Sequence, residues 1–141
     1  MLFMQKAIEQ AIQTEKDVPV GAVIVKNNEI IAFAHNEKEL ENDVTSHAEI
    51  VAIRKAEKAL NNWRLEDCEI YVTLEPCPMC MWAILQSRIK TLYFGSFDKN
   101  YGACGSKIDL KDILTSKIKV YGGIMEDECD KILEEFFKKI R

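Results

Sequence analysis

The sequence predicts a three-layer α/β domain in which helices cover both faces of a five-stranded mixed sheet. A hairpin signal near the amino terminus predicts antiparallel strands, and strands that alternate with helices further along predict parallel ones. The length of 141 residues fits one domain spanning positions 1–141. We therefore expect a single domain with the element order α-β-β-α-β-α-β-loop-β-α.

The first segment predicts a helix followed by a β-hairpin. Apolar side chains recur at helical spacing over residues 2–15, and the Val-Pro-Val sequence at 18–20 ends this pattern. The apolar run at 21–25 is typical of a strand, Asn27-Asn28 indicates a tight turn, and residues 30–34 return as a second strand.

A polar loop over residues 36–46 precedes the second predicted helix, at about 47–60. Thr45 or Ser46 can act as its N-cap, and Glu49 then completes a capping box with Ser46. The remaining chain predicts a strand over 69–73, a turn at Pro76 and Pro78, a helix over 79–86, strands over 89–94 and 118–121, and an amphipathic helix from Met125 to the C-terminus.

Composition and charge exclude several classes of protein. The chain is 48% hydrophobic and 30% charged, and its net charge of −4 argues against a broad basic surface that binds nucleic acid. No apolar run approaches the roughly 20 residues that a membrane helix requires. The amino-terminal segment lacks a signal-peptide cleavage site and carries Lys6 and Glu9. We therefore expect a cytoplasmic protein without a membrane partner.

Five cysteines, an odd number in a chain expected to be cytoplasmic, disfavour a disulfide framework. Cys68, Cys104 and Cys129 are scattered, and we interpret them as buried small apolar residues. Cys77 and Cys80 form a Cys-x-x-Cys pair, which by itself is typical of a redox dithiol, a structural zinc knuckle or a catalytic zinc site.

Two short segments, 45–49 and 75–80, each follow a loop and begin a predicted helix. The unpaired N–H groups and partial positive charge at a helix amino end favour thiolates over thiols. Cys77 and Cys80 are three residues apart, so both sulfurs can lie on one helix face and bind one ion. His47 adds an imidazole nitrogen, and thiolates with imidazole suit Zn²⁺.

The number of ligands indicates a catalytic zinc. His47 and the two cysteines make three, and His35, at the end of a predicted strand, has no obvious route to the site. Three protein ligands leave one position for water, whose pKa can fall to about 7. Glu49 is the candidate to move the water's proton, with a capping role as the alternative. Two helical steps turn about 200°, so the pairing requires His47 to stand at the very start of the helix.

At these residues the chain resembles the zinc-dependent nucleobase deaminases, whose signature combines His-x-Glu with Pro-Cys-x-x-Cys. More narrowly, it resembles the bacterial tRNA-specific adenosine deaminases over about residues 18–137. The narrower resemblance depends on segments 18–23, 62–65, 73–77, 87–89, 94–95, 102–103, 105–106, 127–129 and 136–137, with Asn36 and Asp98.

The resemblance implies a cytidine-deaminase-like fold and a hydrolytic deamination. The implied substrate is the wobble adenosine of a tRNA anticodon stem-loop, flipped into the pocket, and the product is inosine. The resemblance also implies one Zn²⁺ per chain bound by His47, Cys77 and Cys80, and a homodimer whose second subunit completes the RNA site. Glu49 would be the catalytic proton shuttle.

Further substrate contacts are implied at four positions. Asn36 would hydrogen-bond the purine or its ribose. The backbone N–H groups of Ala48 and Cys77 would donate to the bound hydroxyl, as in an oxyanion hole. Asp98 would contact the substrate from a segment typical of the tRNA enzymes.

Basic residues predict a local RNA surface. Segment 86–107 carries four basic side chains against Asp98 alone, and the tail 138–141 is also basic. Phosphate contact is one interpretation and a solvated charged face is the other. Phe136 and Phe137 can contact bases, although we expect at least one to face the core. The four basic residues are Arg88, Lys90, Lys99 and Lys107.

Two other functions are compatible with the sequence. The chain can be a deaminase of a free base or nucleoside, such as guanine or cytosine, since these enzymes share the Pro-Cys-Pro-Met-Cys segment. It can also be a non-catalytic RNA-binding subunit that zinc stabilises. Glu49 argues against the second function, because a structural zinc needs no proton shuttle.

Overall fold

The computed structural model describes residues 2–140 and contains the predicted elements in the predicted order, with one additional short helix. No helix in this range is long and apolar enough to cross a membrane. The elements are α1 (Leu2–Ile12), β1 (Gly21–Lys26), β2 (Glu29–His35), α2 (Ala48–Leu60), β3 (Cys68–Leu74), α3 (Pro78–Gln86), β4 (Thr91–Ser96), α4 (Leu110–Ile113), β5 (Lys119–Tyr121) and α5 (Glu126–Lys139).

The five strands found between residues 2 and 140 form a mixed sheet in the order β2-β1-β3-β4-β5. β1 runs antiparallel to β2 and β3, whereas β3, β4 and β5 are parallel. Gly21 at the start of β1 lies opposite His35 at the end of β2, and Leu74 lies opposite Ser96 where β3 and β4 end. The loops that follow β2, β3 and β4 therefore leave the sheet at the same end.

Helices cover both faces of the sheet, which confirms the three-layer prediction. On one face, α2 and α3 pack against alternate residues of β1, such as Ala22 and Ile24. On the other face, α1 and α5 pack against Val23 and Val25. None of these four side chains is more than 1% exposed, so β1 is a central strand that is buried on both faces.

Local chemistry explains the hairpin and the early end of α1. Asn27 and Asn28 have φ values of 51° and 64°, as a two-residue type I′ turn requires, and asparagine tolerates this conformation. α1 ends at Ile12 rather than at residue 15. Gln13 and Thr14 donate to carbonyl groups three residues back, which closes the helix in a tighter 3₁₀ turn.

The predicted cap of α2 is wrong. His47, and neither Thr45 nor Ser46, is the N-cap, so the capping box does not form. Ser46 is buried in the preceding loop, where its N–H donates to the carbonyl of Asp43 (3.1 Å) and its carbonyl accepts from Glu37 (2.9 Å). These loop contacts hold Ser46 outside the helix.

The additional helix, α4, is a single turn. Its four residues are too few to produce a recognisable helical periodicity in the sequence. The side chain of Asp109 accepts a hydrogen bond from the N–H of Asp112 (3.3 Å), so a local cap rather than an apolar stripe determines this turn.

Candidate active site

Two helices begin at the same end of the sheet, and their N-cap residues lie next to each other. His47 is the N-cap of α2 (φ −69°, ψ 154°), and Cys77 is the N-cap of α3 (φ −75°, ψ 172°). Neither side chain caps its own helix, so both are available to bind a ligand. Pro78 occupies the first turn of α3, where its fixed φ suits the helix and its missing N–H costs nothing.

His47, Cys77 and Cys80 form a compact cluster. Nδ1 of His47 lies 3.5 Å from Sγ of Cys80 and 3.8 Å from Sγ of Cys77. The three ligand atoms all lie within 4.8 Å of one another, and no other such group of His, Cys, Asp or Glu occurs in residues 2–140. The cluster could therefore hold a metal ion.

Hydrogen bonds within the cluster change the acidity of its members. The hydrogen bond from the Cys80 thiol lowers the pKa of Cys77 to about 4, and the same contact raises the pKa of Cys80. The hydrogen bond with Cys77 raises the pKa of His47. Cys77 is therefore a thiolate at neutral pH, the form in which cysteine binds metals.

Glu49 lies in the first turn of α2 and is only 4% exposed. His47 precedes the helix and has an extended backbone, so the 200° helical angle does not separate it from Glu49. Both residues line the same cavity. Burial raises the pKa of Glu49 to about 7, so this carboxyl group can accept and return a proton near neutral pH.

A cavity of about 1030 Å³ opens over the cluster, and Asn36 forms part of its wall. Nδ2 of Asn36 donates to the carbonyl of Val18 (3.2 Å), whereas its Oδ1 is buried and has no hydrogen-bond partner. An unpaired buried acceptor costs about 1–3 kcal/mol, so a ligand with a donor would be favoured here. Ala48 also lines the cavity, and N–H groups in a first helical turn lack intrahelical acceptors.

The outer wall of the cavity is aromatic. Phe97 and Tyr101 contribute from the loop after β4, and Phe136 and Phe137 contribute from the end of α5. The last two rings meet edge to face at 5.3 Å, and neither is fully buried. The expectation that one of them packs in the core is wrong. α5 contacts the sheet through its first half, around Cys129, and its last turns extend over the cavity.

The basic residues fall into two groups. Lys99 lines the cavity, together with Lys16 and Lys38. Of the tail, Lys138 and Lys139 are exposed, while Arg141 lies outside the described residues. The predicted basic surface is therefore only partly at the cavity. Three residues of the predicted basic surface are exposed but do not line the cavity, namely Arg88, Lys90 and Lys107.

Asp98 belongs to the same wall as Phe97 and Tyr101. Its Oδ1 accepts hydrogen bonds from the backbone N–H groups of Asn100 (3.0 Å) and Tyr101 (3.1 Å). This carboxylate therefore shapes the turn that faces the cavity, and a direct contact with substrate stays a prediction.

Glu75 also lines the cavity, in a position for which the sequence predicted no role. It is 2% exposed and accepts hydrogen bonds from the loop that follows β4. The sequence does carry a signal for this role: Glu75 directly follows an apolar strand and precedes a proline. A carboxylate buried in that position requires hydrogen-bond donors.

Comparisons with known proteins relate the whole chain to deaminases. The model of the MafB19-like deaminase family matches residues 1–141. A tRNA-specific adenosine deaminase of Bacillus subtilis is 44% identical over 99% of this chain and 89% of its own length, and one of Aquifex aeolicus is 44% identical over 99% and 94%. A structure solved in a study of A-to-I editing by tRNA:A34 deaminases has a TM-score of 0.91 and 41% identity, covering 94% of this chain and 99% of that chain.

Proposed function

The chain belongs to the MafB19-like deaminase family and to the tRNA-specific adenosine deaminases, and from that premise we propose how its residues perform the reaction. The enzyme is a hydrolase that converts adenosine to inosine at the wobble position of a tRNA anticodon. The oxygen of water replaces the amine at C6 of the purine, and ammonia leaves. The observation that supports the residue roles is the metal-ligand cluster beside buried Glu49 in one cavity.

The cluster fits one zinc ion per chain. A tetrahedral zinc with Zn–S of about 2.3 Å and Zn–N of about 2.0 Å would place its sulfur and nitrogen ligands about 3.5 Å apart. The observed separations from Nδ1 of His47 to Sγ of Cys80 and Cys77 are 3.5 and 3.8 Å. When bound, zinc supplies Lewis-acid activation of a water molecule at the position that three protein ligands leave open.

Glu49 moves the protons. Its carboxylate takes the two protons of the water one at a time. The first passes to N1 of the purine, and the second, released as the oxygen on C6 becomes a carbonyl, passes to the departing amine. Because Glu49 is almost fully buried, bulk water does not compete for these protons. The N–H groups of Ala48 and Cys77, at the amino ends of α2 and α3, donate to the oxygen on which negative charge develops.

Asn36 orients the substrate. Its Oδ1 has no partner in residues 2–140 and is buried at the cavity wall. As an acceptor, it requires a donor from the substrate, and a ribose hydroxyl of the flipped nucleotide supplies one. The amide is fixed by its bond to the carbonyl of Val18, so the acceptor position is defined before substrate binds.

The anticodon stem-loop is the part of the tRNA that the enzyme binds. The cavity admits a flipped base, and the aromatic outer wall suits stacking with neighbouring unpaired bases of the loop. Because tRNA is the substrate, we place the enzyme in the cytoplasm.

The enzyme acts as a homodimer. Trp82 on α3 and Leu114 beside α4 are 48% and 46% exposed, and α3 and α4 pack against each other. Two large apolar side chains exposed at adjacent helices favour contact with a second subunit.

The deciding experiment offers the purified enzyme an anticodon stem-loop with adenosine at the wobble position. We expect inosine in this RNA and no deamination of guanine, cytosine or adenosine in parallel reactions. The same RNA with adenosine only at another loop position is the matched control. Deamination of a free base alone would refute the assignment.

The same preparation tests the zinc and the subunit number. Metal analysis should give about one zinc per chain, and its absence from active enzyme would refute the zinc proposal. Sedimentation equilibrium should give twice the chain mass of 16.2 kDa. An active monomer would refute the dimer and leave the deaminase assignment intact.

A further inference from the structure

The Glu75 side chain is the centre of a hydrogen-bond network that no step of the proposed reaction uses. Its Oε1 accepts from the backbone N–H of Asp98 (3.0 Å) and from the hydroxyl of Ser106. Its Oε2 accepts from the backbone N–H groups of Cys104 (3.0 Å) and Ser106 (3.2 Å). All four donors belong to residues 98–106, the loop after β4.

Within residues 2–140, the carboxylate of Glu75 is stabilised by hydrogen bonds from neutral donors and by no ion pair. The ion pair found within residues 2–140 joins Lys6 to Glu9, so Glu75 has no basic partner there although it is 2% exposed. Oriented N–H and O–H dipoles stabilise a buried anion in such a site, and these charge-assisted bonds are stronger than neutral ones. The arrangement therefore depends on the negative charge and on all four donors.

The loop is closely fitted around the carboxylate. A Cβ atom at Gly102 would collide with the carboxyl group of Glu75, so glycine is required at this position. The N–H of Ala103 donates to the carbonyl of Pro76 (2.8 Å), which adds a backbone–backbone bond between the same two segments. The segment that continues into Cys77 is thus joined to the loop at two consecutive residues.

The network extends to the surface that faces the substrate cavity. Glu75 holds the backbone N–H of Asp98, and the carbonyl of Asp98 accepts from Gly102 (2.9 Å). The side chain of Asp98 in turn accepts from the N–H groups of Asn100 and Tyr101. Asp98, Asn100 and Tyr101 all line the cavity.

We propose that Glu75 is a positioning residue for RNA binding: its buried carboxylate fixes the loop 97–106 against the segment that carries Cys77. The proposal rests on the proposed function, since it assumes that the cavity receives the wobble adenosine. Glu75 acts through Asp98 and Tyr101, because it bonds the backbone of Asp98, whose side chain in turn holds the N–H of Tyr101 at the cavity wall.

Glu75→Gln is the informative substitution because it preserves size and removes one acceptor. Whichever way the new amide is turned, its NH₂ group faces a backbone donor, either that of Asp98 or those of Cys104 and Ser106. Two donors cannot bond to each other, so the loop must move. The zinc ligands are not altered by this substitution.

The test measures kcat and KM of the zinc-loaded enzyme on the anticodon stem-loop. For Glu75→Gln we expect KM to rise about tenfold while kcat stays within about threefold of wild type, as for lost ground-state binding. Zinc content should be unchanged. A merely structural role would lower the melting temperature and the active fraction, and hence kcat, without changing KM.

Two further variants keep the test decisive. Thr73→Val is the matched control, since Thr73 is buried two residues before Glu75, near the end of β3, but accepts from the N–H of Gly21. This variant should lose stability and keep KM. Ser106→Ala removes only one donor and should raise KM about threefold, which decides the question if Glu75→Gln does not fold.

An unchanged KM in both Glu75→Gln and Ser106→Ala would refute the positioning role. Wild-type enzyme that fails to deaminate the RNA would instead refute the proposed function.

Discussion

The floor and the mouth of the cavity are built in different ways. Floor side chains stand at or near the first turns of two helices that pack in the core, whereas mouth side chains come from an exposed loop and the end of the terminal helix. The floor consists of His47, Glu49, Cys77 and Cys80. The mouth is the aromatic outer wall, which consists of Phe97, Tyr101, Phe136 and Phe137.

The difference separates chemistry from binding. A metal site and a proton shuttle require fixed positions, which a buried helix start provides. Recognition of unpaired bases requires accessible rings and tolerates more movement. We therefore expect substitutions in the floor to lower kcat and substitutions in the mouth to raise KM for the RNA.

The largest effect is expected from Glu49→Ala. Loss of the proton shuttle should lower kcat about 10²- to 10⁴-fold, the usual contribution of general acid–base catalysis. Zinc content and fold should persist, because the three ligands remain. Single-turnover assays with metal analysis measure both quantities.

Glu49→Gln is the size-matched control for Glu49→Ala. It should be as inactive, because its amide cannot take a proton from water at neutral pH. A Glu49 variant with near wild-type turnover would show that Glu49 is not the proton shuttle.

A moderate effect is expected at the mouth from the double substitution Phe136→Ala and Phe137→Ala. Loss of one stacked base should raise KM for the stem-loop by about tenfold, since a stacked base contributes about 1–3 kcal/mol. kcat should change little. Titration of rate against RNA concentration separates the two constants.

Tyr121→Ala is the control for the aromatic mouth. Tyr121 is 48% exposed, comparable with Phe137 at 41%, but it does not line the cavity. It should leave KM unchanged. An equal rise in KM for both variants would show that ring loss acts through stability rather than through the mouth.

The smallest effect is expected from Lys99→Ala. KM should rise about twofold, and the slope of log affinity against log salt should become shallower by about one, as for one lost phosphate contact. Lys107→Ala is the control, since Lys107 is exposed but does not line the cavity. If the salt slope becomes equally shallow in both variants, Lys107 also contacts phosphate and the RNA surface extends beyond the mouth.

Local patterns in the sequence predicted most of the fold and the three members of the cluster that could hold a metal ion, His47, Cys77 and Cys80. Alternating strands and helices predicted the mixed sheet, and the spacing of Cys77 and Cys80 placed two sulfurs on one helix face. The N-cap of α2 was predicted wrongly, because the loop contacts of Asp43 and Ser46 decide where the chain enters the helix. Because the N-cap is His47, this residue lies before the helix, where it can share a cavity with Glu49.

The sequence by itself determined the residue types and spacings of the floor, because each helix start brings its own side chains together within three or four residues. Only the tertiary structure decided how the mouth is formed and what Glu75 does. The donors to Glu75 lie 23 to 31 residues further along the chain. Their N–H groups converge on one carboxylate only after β3 and β4 pair in parallel and bring both following loops to the same end of the sheet.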